Sequence, residues 1–190
     1  MMTLNEIISD ISDSLVALDE SRIPWDKYQP GVGPYTETKL VQYMADYFRE
    51  CFPKYRGIMT RRTPDLLIPN EWALEFKLAR PFGDNGKIAE NWSVNLLHPY
   101  PGNTSSLGDC IKLLNANLAE KLAVIVIGYE HNPPKIDLEP LVQAFEILAN
   151  QFMKIQLSQR IEIRRANLIH PVHQVLRVFA WEVQKNLESQ

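Results

Sequence analysis

The chain has 190 residues, enough for one domain with a core of its own, and its 45% hydrophobic and 23% charged residues exclude a disordered or low-complexity protein. Two cysteines, Cys51 and Cys110, exclude a disulfide framework, and no stretch approaches the roughly 20 apolar residues of a membrane helix. The net charge of -3 excludes a strongly basic chain but not nucleic acid as a partner, because phosphate contacts depend on local basic patches.

Thr3 and Glu6 have the spacing of a capping box, and Leu4, Ile7, Ile8, Ile11, Leu15 and Leu18 fall on one helical stripe, predicting a helix over about 4–19. Glu6, Asp10 and Asp13 interrupt what a signal peptide would keep apolar, so a soluble cytoplasmic protein with no membrane contact is expected. A loop rich in Pro, Gly and aromatics follows. Pro34 suits the first turn of a second helix, whose apolar face is Leu40, Val41, Met44, Tyr47 and Phe48. Glu37 lies on that same face. It is either a carboxylate that needs a partner or cation, or a first-turn acid that bends to solvent.

Residues 57–62, 66–68 and 72–78 read as strands, with turn chemistry at Pro69, Asn70 and Glu71. The stretch 80–105 is irregular, with a short helix expected within 87–97. Ser106 and Asp109 resemble a capping box with Asp in place of Glu, opening a helix along Leu107, Cys110, Ile111, Leu114 and Leu118. Leu122–Tyr129 is apolar on both alternating faces, as in a buried central strand. Asp137 caps a further helix carrying Leu138 to Phe152, and 161–165 is a candidate edge strand. Pro171 opens a last amphipathic helix through Val172, Val175, Leu176, Phe179 and Val183. The order predicts a single α/β domain over 1–190, with helices on both faces of one mixed sheet.

The segment richest in chemistry runs from Pro64-Asp65 to Glu75-Phe76-Lys77. Strand alternation puts Trp72, Leu74, Phe76 and Leu78 on one face and Ala73, Glu75, Lys77 and Ala79 on the other. If Pro69–Glu71 is a three-residue connection, Ile68 pairs with Trp72, Leu66 with Leu74, and Asp65 stands opposite Glu75. Like charges so placed repel, and a divalent cation would compensate them. A one-residue slip would spoil both the apolar match and the carboxylate pair. The plain structural alternative is a surface hairpin with an exposed Glu75–Lys77 pair.

These residues resemble the signature of the PD-(D/E)XK nuclease superfamily, over a core of about 34–130 with helices added at both ends. The resemblance implies a restriction-endonuclease-like fold and a metal-dependent endonuclease that hydrolyses DNA, of the restriction type. It implies Mg²⁺, with Mn²⁺ as a substitute, held by Asp65, Glu75 and the Phe76 carbonyl, with Glu37 as a further ligand. It assigns Lys77 to alignment or deprotonation of the attacking water. A double-strand cut by so small a domain implies a homodimer. The alternative is a non-catalytic module that binds nucleic acid or protein on the same fold.

Lys54, Arg56, Arg61 and Arg62 form a basic cluster, and Arg164 and Arg165 a smaller one. Each is either a phosphate-binding patch or a solvated face. Lys87, Asn91, Trp92 and Asn95 could touch DNA or pack within the long loop. His98, His131, His170 and His173 lack metal spacing, and His170 and His173 read as capping or surface residues at a helix start. Gly31-Val32-Gly33 lacks the rest of a dinucleotide fingerprint.

Overall fold

The computed structural model describes residues 1–100 and 104–184, so the Pro101–Gly102 part of the irregular stretch lies outside the described residues. Helix α1 (Leu4–Glu20) begins as its capping box requires. Thr3 Oγ1 accepts from the Glu6 N–H at 3.2 Å, and the Glu6 carboxylate accepts from the Thr3 N–H at 2.7 Å. Helix α2 (Glu37–Cys51) starts at Glu37, not at Pro34. The Arg80 guanidinium donates to the carbonyls of Gly33 and Tyr35 at 2.7 and 3.3 Å, which holds the segment around Pro34 as a turn.

Next come β1 (Met59–Thr60), β2 (Leu66–Ile68) and β3 (Trp72–Ala79). The first strand is shorter than the predicted 57–62. Among its described residues the irregular region contains a short helix, α3 (Val94–Leu97), inside the expected 87–97. Helix α4 (Ser106–Asn115), β4 (Lys121–Glu130) and α5 (Glu139–Ile147) follow. The last of these continues as a π-helical turn over Leu148–Phe152. The chain then adds β5 (Gln156–Leu157), β6 (Ile161–Ala166) and β7 (Val175–Gln184).

The predicted last helix is therefore a strand. Its apolar residues satisfy a helical stripe, but they also fill the remaining positions: Arg177 and Glu182 are the only polar residues between 175 and 183. A segment apolar on all sides and rich in Val, Phe and Trp suits the middle of a sheet covered on both faces. There β7 lies, antiparallel to β4 along its whole length, from Leu122 opposite Val183 to Glu130 opposite Val175.

Among the described residues, seven strands make one open mixed sheet in the order β1-β2-β3-β4-β7, with β5 and β6 sharing the outer side of β7. Strands β3 and β4 are parallel, and the other pairs are antiparallel. Helices α1 and α2 cover one face through Leu74, Phe76, Ile125, Ile127 and Val178. Helices α3, α4 and α5 cover the other through Ala73, Val124, Val126, Phe179 and Trp181. Among the described residues no helix is long and apolar enough to cross a membrane.

His170 and His173 are not surface residues: both are buried in the turn before β7. Asp19 draws that turn inward. Its two carboxylate oxygens accept from the N–H groups of Val32 and Ile169, at 2.9 and 2.8 Å.

Candidate active site

The site begins where a ladder stops. Leu66 pairs with Leu74 and Ile68 with Trp72, the register that the turn at 69–71 predicts. The Arg61 N–H donates to the Asp65 carbonyl at 3.2 Å, so Asp65 directs its backbone groups at β1. Leu66, and Pro64 by the same alternation, therefore face β3. The next pair in that register is Pro64 with Phe76, and Pro64 has no N–H to give. Side chains take over. Asp65 Oδ2 accepts from the Phe76 N–H at 2.9 Å, and Lys77 Nζ donates to the Phe76 carbonyl at 3.0 Å. The strand thus fixes an acid and an amine around one peptide unit.

Glu75 is 2% exposed, and its Oε1 is buried without a hydrogen-bond partner. Burial, and then repulsion from Asp65 and Asp109, push its carboxyl up to about 9. Burial also raises Asp65, against the Phe76 N–H, a hydrogen bond from Glu75 and the charge of Lys77. Without a cation, Glu75 is the member of the pair that keeps a proton. Glu37 is raised as well, by burial, with Lys77 opposing.

Lys77 is nearly buried. Burial alone would lower its pKa, but Glu37 and Asp109 outweigh it and hold the ammonium above its ordinary value. Its Nζ lies 3.1 Å from Glu37 Oε1 and 2.9 Å from Asp109 Oδ2. Asp109 is fully buried on α4 and also pairs with Lys112 one turn on. The contact to Lys77 is a charge pair without hydrogen-bond alignment, since Asp109 Oδ2 has no hydrogen-bond partner.

The structure gathers Asp65, Glu75, Lys77 and Glu37, and adds Asp109, which the sequence reading took for a capping residue. Helix α4 is capped one residue earlier than predicted, by Ser105, whose hydroxyl accepts from the Gly108 N–H at 3.2 Å. Asp109 is left to turn inward. The sequence carried one sign of this: Asp109 shares a helix face with Leu113, so an acid occupies a core-facing position.

The basic residues separate. Arg61 and Arg62 line a cleft of about 380 Å³ together with Glu37, Gln42, Thr60 and Asp65. Lys54 does not join them. It pairs with Asp10 at 2.5 Å and covers the rings of Phe52 and Tyr55. Lys87 is exposed on the turn after β3, and Arg165 pairs with Asp13 at 2.8 Å. Trp92 and Asn95 line a second cleft with Trp25, Thr36 and Arg80.

Fully ionised, Glu37, Asp65, Glu75 and Asp109 set four negative charges against the ammoniums of Lys77 and Lys112. The excess of two equals the charge of one divalent cation, and the unpartnered Glu75 oxygen is a free ligand atom for it. The donor set, all oxygen, suits a hard cation such as Mg²⁺ or Mn²⁺. The Phe76 carbonyl, already accepting from Lys77, keeps a second lone pair. No protein-family profile, curated protein or solved structure matches the chain.

Proposed function

We propose that the chain is a metal-dependent nuclease of the PD-(D/E)XK type that hydrolyses DNA phosphodiester bonds. The observation that carries the reading is the buried, unpartnered carboxyl oxygen of Glu75, set against Asp65 and followed two residues later by a nearly buried Lys77. On this reading α2, the β1–β3 hairpin, α4 and β4 form a restriction-endonuclease-like core.

Asp65 and Glu75, with the Phe76 carbonyl, are the residues that would hold the ion, and Glu37 is the nearest further carboxylate. When bound, such an ion polarises the scissile phosphate and acidifies a water bound to it. The protein's own part is positioning and charge. Glu75 must give up its proton before it can ligate. Lys77, fixed by Glu37, Asp109 and the Phe76 carbonyl, supplies a positive charge for the developing charge on phosphate oxygens and a donor to orient the water. Arg61 and Arg62 are placed to track the phosphate backbone along the adjoining cleft. A double-strand cut would require two copies related by a two-fold axis, so a homodimer belongs to the proposal.

The test is nicking of supercoiled plasmid in Mg²⁺ and in Mn²⁺, against EDTA and against Glu75→Gln. Cleavage by the native chain alone, and only with metal, supports the reading. A chain that binds no nucleic acid at any salt concentration would end it. One observation favours the second reading, a non-catalytic module on the same fold: the Lys77 ammonium already has three partners, as a purely structural lysine would. DNA binding equal in Mg²⁺ and EDTA, with no nicking, would select that reading.

A further inference from the structure

A second group of unpartnered polar atoms lies among residues that the nuclease reading does not use. Asp84 is half-buried in the turn after β3, and His170 and His173 are 0% and 1% exposed in the turn before β7. Asp84 Oδ1, His170 Nε2 and His173 Nδ1 are each buried with no hydrogen-bond partner. Ligand atoms from the three residues lie within 4.8 Å of one another. Leaving one such atom unmade costs about 1–3 kcal/mol, so three together mark a place shaped for a guest.

Neighbouring backbone groups orient both rings. His173 Nε2 lies 2.9 Å from the Phe82 carbonyl, so the ring proton belongs on Nε2 and Nδ1 presents its lone pair. A metal-ligating histidine is set up in this way, one nitrogen to a carbonyl and the other to the ion. His170 Nδ1 accepts from the N–H groups of Val172 and His173 at 3.2 and 3.3 Å. That leaves Nε2 as its free ring atom; ligation there moves the ring proton from Nε2 to Nδ1 and gives up those two long contacts. The backbone at Gly31–Gly33 walls the group: a Cβ on Gly33 would stand 2.2 Å from His173 Nδ1, and one on Gly31 2.9 Å from His170 Cβ.

We propose that Asp84, His170 and His173 form a metal centre for one transition-metal ion of the zinc type, independent of the carboxylate site. Two imidazoles and one carboxylate favour zinc over magnesium, which prefers oxygen. In a tetrahedral site, ligand atoms about 2.0–2.2 Å from one ion lie roughly 3.3–3.6 Å apart, so a pair at the 4.8 Å limit closes by roughly an ångström on binding. The cleft lined by Trp25, Phe82, Asp84 and His173 gives water access to a fourth position. The ion would clasp the turn after β3 to the turn before β7, closing one end of the sheet.

The test uses the full chain carrying Asp65→Ala and Glu75→Gln, which removes the competing carboxylate pair. After stripping with chelator and dialysis against zinc, this variant should retain one zinc per chain, with two imidazoles visible by X-ray absorption. Zinc should raise its Tm by roughly 5–10 °C. Adding Asp84→Ala, on a half-buried turn, should weaken zinc binding at least tenfold. Asp84→Asn, which keeps the volume, serves as the check should the alanine variant fold poorly. Absence of retained zinc, or affinity unchanged by both Asp84 variants, overturns the proposal and leaves a water site. The readout needs no cleavage, so it stands apart from the nuclease reading.

Discussion

Two groups of four carboxylates flank this sheet, and they are finished differently. Around Arg177, the acids Glu130, Asp137, Glu139 and Glu162 meet one guanidinium at 2.7–3.4 Å, and Arg160 shares Glu139 at 2.7 Å. Hydrogen bonds, first from Arg160, hold Glu139 below the usual carboxylate range. Around Lys77, burial instead drives Glu75, Asp65 and Glu37 upward, and oxygens of Glu75 and Asp109 lack hydrogen-bond partners. Both groups set four carboxylates against two cations; the planar five-donor fork of arginine reaches every acid of the first, whereas lysine's point charge leaves buried oxygens of the second without a donor. A structural cluster is closed by its own side chains. On the proposed reading, a cluster left open in this way takes its missing partner as a cation from outside.

The contrast can be broken most directly at Arg177. Arg177→Ala strands the buried Glu130 and is expected to cost about 3–5 kcal/mol in urea unfolding. A loss below about 1 kcal/mol would mean the node is solvated and the comparison empty. Glu75→Gln should do the reverse. Cleavage should drop on the order of 10²–10³-fold, while stability holds or rises by about 0.5–2 kcal/mol. Retained cleavage would remove Glu75 from the proposed site.

Lys77→Ala should also lose cleavage yet keep most DNA affinity, because affinity is spread over many phosphate contacts. Near-native cutting by this variant would reject the role given to Lys77. The pH response sharpens the contrast further. Glu75 binds its proton more tightly folded than unfolded, so its contribution to metal-free stability should be full below about pH 4–5. It should then decline by up to about 1.4 kcal/mol per pH unit as pH rises toward 9. Glu75→Gln should flatten that slope, and an unchanged slope would place the proton elsewhere. Since ligation needs the ionised form, Mn²⁺ affinity in calorimetry should increase by up to tenfold per unit over the same range. The smallest effect is expected at Arg62→Ala, which should lower the salt slope of DNA binding by about one unit. No change in that slope would take Arg62 off the phosphate path.

Much of this was legible because it depended on short-range rules. The register of the β2–β3 hairpin follows from one turn and four apolar side chains. The carboxylate pair follows from that register. Glu37 was read with two outcomes, and its ion pair with Lys77 is the core-facing one. Asp109 escaped because a hydroxyl at Ser105 and one at Ser106 are equally good caps by pattern, and only packing decides which is used. β7 escaped because a segment apolar on every side satisfies both periods, so the choice belongs to the sheet that receives it. The clustering of Asp84 with His170 and His173 is a contact between distant turns, which no spacing encodes.

The position of β7 also bears on how the chain folds. Its partner β4 is separated from it by α5, the π-helical turn, β5 and β6, so the middle of the sheet closes only over a long loop. The entropy of closing such loops must be met before the non-local pairing stabilises anything, which places refolding in the slow regime of roughly milliseconds to seconds. Helix α5 and the β2–β3 hairpin, built from neighbours in sequence, can form early. The β4–β7 pairing, and with it the burial of Trp181 and Phe179, should mark the late event in stopped-flow fluorescence.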